Sequence, residues 1–87
     1  MAYTIEFRRS ATRELENLPR THQKNIRSRI DRLAHEPRPP GASLLVSTKR
    51  YWRLGVGDYR VIYDVMDRDR LIIIVRIGIR GDVYRNL

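Results

Sequence analysis

The chain has 87 residues, no cysteine, and a formal net charge of +8 with a sequence pI near 10.8. A chain this length forms one domain, 1–87, and buries only about 60–65% of its unfolded surface, so its core is modest and much of its surface is open to partners. The composition excludes a disulfide framework and a thiolate metal site. The longest apolar run, Leu71 to Val75, is too short to span a bilayer, and Glu6, Arg8 and Arg9 interrupt any N-terminal signal region. The expectation is a cytoplasmic protein without a membrane partner.

In chain order, Tyr3, Ile5 and Phe7 alternate with polar residues, the period of a half-buried strand. Ser10 is the expected N-cap of a short helix with Ala11, Leu15 and Leu18 on one face, and Pro19 ends it. Thr21 is the expected cap of a second helix, in which Ile26, Ile30 and Leu33 repeat at i, i+4, i+7 and which Pro37 closes. Arg38-Pro39-Pro40-Gly41 is a loop. Strands follow over Tyr51 to Val56, Tyr59 to Met66 and Leu71 to Ile77. Their links are short enough for antiparallel hairpins. The predicted fold class is α+β: a mainly antiparallel sheet of about four strands, with two helices on one face and a short C-terminal element.

Strand parity assigns the faces. Val61, Tyr63 and Val65 share one side, and the simplest arrangement adds Trp52, Leu54, Leu71, Ile73, Val75 and Ile77 to it beneath the helices. Arg53, Arg60 and Arg76 then project from the uncovered face.

The quality of the charge matters as much as its sign. Sixteen of the 18 basic residues are arginine, with only Lys24 and Lys49 as lysines. Guanidinium is a planar fork suited to bidentate phosphate contacts and to stacking, which points to nucleic acid first and an acidic protein second. Arginine and tyrosine recur at strand ends in Tyr51-Trp-Arg-Leu-Gly-Val-Gly-Asp-Tyr-Arg60 and Gly78-Ile-Arg-Gly-Asp-Val-Tyr-Arg85, segments without histidine. A catalytic site built from them must handle phosphate without the usual imidazole. His22 and His35 belong to the helical half and read as surface residues. Trp52 and Tyr63 read as core. The acidic residues show no metal-ligand spacing, and no Gly-rich phosphate loop or nucleophile elbow is present.

Gly57-Asp58-Tyr59-Arg60-Val61-Ile62-Tyr63, followed by an apolar strand and Arg80-x-x-Val83-Tyr84, resembles the RelE/ParE toxin superfamily of bacterial type II toxin–antitoxin systems. The opening strand, the helical pair and the Pro-Pro-Gly loop extend the similarity over nearly the whole chain. The resemblance implies a βααβββ fold. It also implies, for RelE-like members, metal-independent cleavage of mRNA on the ribosome by attack of a 2′-hydroxyl on the adjacent phosphate. ParE-like members share the fold and poison DNA gyrase. A non-enzymatic RNA-binding module is the third reading.

Position by position, the resemblance carries catalytic roles to Arg60, Arg80 and Tyr84, with Arg53 nearest to the basic residue of the second strand. Trp52 and Ile79 stand where related toxins often carry basic residues or histidine. Arg60 and Arg80 are expected to stabilise phosphorane charge, and Tyr84 to move a proton or stack on a base. The structural alternatives are an ion pair of Arg60 with Asp64 or Asp58, tail packing by Tyr84, and a solvated strand face for Arg53. Lys49, Arg50, Arg76, Arg27, Arg29 and Arg32 are expected to position rRNA phosphates without reading sequence. The expected partners are ribosome, mRNA and an acidic antitoxin encoded next door, through which operator DNA is bound. No cofactor is expected.

Overall fold

The computed structural model describes residues 2–85 and 87. Strand β1 (Thr4–Phe7) leads into helices α1 (Arg9–Glu16) and α2 (Arg20–Leu33). Ser10 and Thr21 are not the caps. They lie one residue inside their helices, and Arg8 and Pro19 occupy the N-cap positions without a side-chain cap bond. The reason is local: Arg8 and Pro19 are extended, and their carbonyls already accept the first helical bonds, from Thr12 N and Gln23 N, both at 3.0 Å. Pro19 both blocks α1 and, through its fixed φ, sets the entry to α2. Gln23 then joins the helices, its amide donating to the carbonyls of Leu18 (2.7 Å) and Glu16 (3.1 Å) at the end of α1.

Four further strands follow: β2 (Ala42–Leu44), β3 (Trp52–Val56), β4 (Tyr59–Met66) and β5 (Leu71–Ile79). The five-stranded sheet has the order β1-β5-β4-β3-β2, with β1 parallel to β5 and the other pairs antiparallel. The class is α+β as expected, with one strand more than expected. β2 is a three-residue edge strand, too short to show alternation, and it pairs Ala42 with Leu54 and Leu44 with Trp52.

Ala11, Leu15, Ile26, Ile30 and Leu33 from the helices pack on Leu54, Val61, Tyr63, Ile72, Ile74 and Ile77. Trp52, Leu54, Val61, Tyr63 and Val65 face the helices as expected, whereas in β5 Ile77 does and Leu71, Ile73 and Val75 do not. There the register steps from Ile62↔Arg76 to Tyr63↔Ile74, leaving Val75 as the extra residue of a bulge. The bulge reverses the alternation, so Ile72 and Ile74 face the helices in place of Leu71 and Ile73. Val75 turns to the other face. It joins Leu45, Ile62 and Val83 in a second, smaller core flanked by Tyr51 and Tyr84. The face expected to be bare is therefore partly covered by the turn after β2 and by the 3-10 turn Asp82–Tyr84.

Tyr63 is fully buried and donates to the Pro37 carbonyl at 2.7 Å; burial pushes its phenol up to about 12. Nearby, Asp67 accepts a bond from Tyr3 (2.6 Å) and a fork from Arg38 (2.8 and 3.2 Å). Arg38 also lies over the Trp52 ring, 5.3 Å from its centre. Arg38 first, then Tyr3, holds the Asp67 carboxyl down at about 2. This clamp fastens the Pro-rich loop to the sheet and so fixes where β2 begins. Among the described residues, no helix is long and apolar enough to cross a membrane.

Candidate phosphate-binding active site

On the sheet face away from the helices, residues of β2, β3 and β4 and of the segment after β5 line a groove of about 440 Å³. Arg53, Arg60, Arg80 and Tyr84 line it together with Ser43, and its lining holds no carboxylate. All four residues expected to be catalytic are thus brought to one place.

Each is held by a different device. Arg60 stands opposite Gly55 in the β3–β4 ladder, and its guanidinium lies flat over that glycine. A β-carbon at position 55 would sit 3.1 Å from Arg60 Nη1 and 3.3 Å from Cζ, closer than side chains ordinarily pack. Glycine is therefore the seat of the arginine. Nη1 donates to the carbonyls of Gly57 (3.0 Å) and Tyr59 (2.8 Å), which leaves Nε and Nη2 as donors toward the groove. Neither Asp58 nor Asp64 pairs with Arg60. The ion-pair alternative for Arg60 is thereby removed.

Arg80 follows the last residue of β5, and its backbone N–H donates to the Asp58 carbonyl at 3.0 Å, tying it to the tip of the β3–β4 hairpin. Gly81, with φ at +98°, then reverses the chain, a conformation that side-chain-bearing residues rarely adopt. The reversal drives Val83 into the second core and delivers Tyr84 to the groove. There the Tyr84 hydroxyl accepts from Arg53 Nη1 at 3.4 Å, while Arg53 Nε donates to Ser43 Oγ at 2.8 Å. Packing of the tail and placement of Tyr84 in the groove are thus one arrangement. Arg53 is exposed yet oriented at both ends of its fork.

The residues expected to position RNA are placed elsewhere. Arg50 makes a 2.8 Å ion pair with Asp64, whose side chain is only 6% exposed, and lies against Tyr51. Its first task is to neutralise a buried carboxylate. Arg76 is half-buried, 3.4 Å from Glu14 of α1 and bonded to the Arg85 carbonyl. It anchors the tail and does not line the groove. Lys49 is exposed in a left-handed turn (φ +56°). Arg27 and Arg32 are exposed and Arg29 is half-buried, all on α2, across the sheet from the groove. Sequence reasoning missed Ser43 and Gly55. The first belongs to an unforeseen strand, and the second shows only once β3 and β4 are in register.

Fold and groove together define a class: a small basic α+β domain whose sheet gathers three arginines and a tyrosine in one groove. The model of the ParE toxin of type II toxin–antitoxin systems matches residues 5–84, nearly the whole chain, and the chain belongs to this RelE/ParE toxin superfamily. Toxin RelG of Mycobacterium tuberculosis is 30% identical, over 98% of this chain and 99% of its own. In the archaeal RelE–RelB complex from Pyrococcus horikoshii, the matching chain is 31% identical with a TM-score of 0.81, covering 93% of this chain and 98% of that one. A variant of the Escherichia coli toxin RelE in the free state shares the fold with a TM-score of 0.81 at 22% identity, over 97% of this chain and 92% of its own.

Proposed function

We propose that this toxin is a ribosome-dependent mRNA endonuclease acting in the cytoplasm. The observation that carries the reading is the convergence of Arg53, Arg60, Arg80 and Tyr84 in one acid-free groove. An RNA strand laid in it presents a phosphate to Arg60 and Arg80. The 2′-hydroxyl attacks that phosphate, its proton is relayed through the Tyr84 hydroxyl to water as the phenolic oxygen takes one proton and gives up its own, and the bond to the 5′-oxygen breaks. The departing oxygen takes a proton from water, leaving a 2′,3′-cyclic phosphate. Arg60 and Arg80 hold the added negative charge of the phosphorane, where preorganised donors contribute most. Arg53 Nη1 donates to the Tyr84 oxygen at 3.4 Å and so orients the hydroxyl in the groove. No step calls for a metal ion held by the toxin.

The RelB-bound state of a structural relative supports an antitoxin partner for this chain. A surface of net charge +8 calls for an acidic segment, with charge attraction speeding the encounter. The matching model describes ParE toxins, so inhibition of gyrase is the competing reading. Primer extension on mRNA after induction separates the two. Cuts at ribosomal A-site codons are expected; intact mRNA with broken DNA would favour gyrase.

A further inference from the structure

A second concavity, of about 630 Å³, opens on the helix side of the same end of the sheet. The N-terminal half of α2 borders it. Val56, Tyr59 and Ile79, which end three neighbouring strands, form an apolar floor, with Ile79 54% exposed. His22 and Asn25 of α2 form the wall, and the His22 and Tyr59 rings pack on each other with centroids 4.9 Å apart. Arg80 lines this recess as well as the phosphate groove. One arginine thus stands between a site suited to phosphate and a site suited to a flat, partly polar ring.

We propose that this recess is a nucleobase subsite, receiving the base of a nucleotide next to the phosphate that Arg80 holds. The inference rests on the mRNA-cutting reading and deepens it. Single-stranded RNA is recognised by stacking splayed bases on aromatic faces and by hydrogen bonds to their edges. The His22–Tyr59 pair offers the stacking wall. Asn25 offers both a donor and an acceptor, and the Asp58 carboxylate offers acceptors. The RNA strand passes around the tip of the β3–β4 hairpin, whose position relative to Arg80 is fixed by the Arg80 N–H bond to Asp58. The subsite gives the toxin a preference for the base beside the cut that the arginine groove alone does not supply.

The test uses ribosomes programmed with mRNAs in which the nucleotides flanking the cut are varied, and compares the toxin with His22→Ala and Asn25→Ala. The expected result is a flattened preference at one flanking position, with cutting at favoured sites reduced about tenfold through KM and kcat held. An unchanged cleavage profile in both variants overturns the subsite, as does an unchanged profile with weakened binding of the antitoxin, which assigns the recess to a protein. If the toxin leaves ribosomal mRNA intact, the mRNA-cutting reading fails. Titration with a trinucleotide carrying a 2′-deoxy cut site then decides separately: movement of the His22 ring signals in NMR retains nucleobase binding, and unmoved signals exclude it.

Discussion

The two faces of the sheet are made by different means. Under the helices, aliphatic side chains of α1, α2, β3, β4 and β5 with Tyr63 form a continuous core in which nothing is charged. On the other face, among the described residues, Leu45, Ile62, Val75 and Val83 form a smaller core, and the space beside it is lined by arginines, three glycines and hydrogen-bonded side chains. The first face carries stability; the second converts that stability into a fixed arrangement of like charges. Bringing three guanidiniums together is unfavourable unless the backbone holds them, and here backbone carbonyls, Ser43 and the Gly55 seat do so.

Substitutions that act on one face and spare the other sharpen this contrast. The largest effect on function is expected from Arg60→Ala or Arg80→Ala. Each should lower cleavage about 100–1000-fold, while circular dichroism and thermal unfolding stay close to those of the parent. Ile30→Ala, on the covered face, should do the reverse. Loss of a fully buried isoleucine costs about 2–5 kcal/mol of stability, read in urea unfolding, with activity per folded molecule retained. Gly55→Ala is the sharpest probe of the open face. Its new methyl meets the Arg60 guanidinium, so activity should fall roughly tenfold, about 1.4 kcal/mol of transition-state stabilisation, with little change in unfolding midpoint.

Smaller effects are expected at the supports. Asp67 has its carboxyl lowered from 3.8 to about 2 by Arg38 and Tyr3. A folded value below the unfolded one gives stability that is present above about pH 4 and is lost as pH falls toward 2. Acid titration followed by tryptophan fluorescence should therefore show a shallower loss in that window for Asp67→Asn than for the parent. Ser43→Ala should be the mildest change. It frees one end of Arg53 and should lower cleavage a few-fold, with Ser43→Thr restoring it. Equal activity of the Ala and Thr variants would remove Ser43 from the positioning of Arg53.

How much of this was legible in the sequence follows the same division. Periodicity located both helices and the covered parts of β3 and β4, because burying one face imposes a repeat that composition reveals. It misassigned β5, since Leu71-Ile-Ile-Ile-Val is apolar at every position and nothing in such a run announces a bulge at Val75. β2 was hidden for the opposite reason, having too few residues for any period. The groove residues Arg60, Arg80 and Tyr84 were reached through their motif, and Arg53 as the nearest basic residue in its strand. Their supports depended on register and on a chain reversal at Gly81, which local sequence does not fix. Arg50 and Arg76, expected among the phosphate-positioning residues, each pair with a carboxylate that the sequence alone does not identify.

Whether the open face cuts RNA on the ribosome is decided by one reconstituted reaction. Purified toxin is added to ribosomes carrying an mRNA with an empty A site, beside an Arg60→Ala control shown to be folded, and the mRNA ends are mapped. Cuts within the A-site codon that leave 2′,3′-cyclic phosphates are expected for the toxin, with a loss of roughly 100-fold or more for the control. Intact mRNA with the toxin, or equal cutting by the folded control, would contradict the RNA-cutting reading.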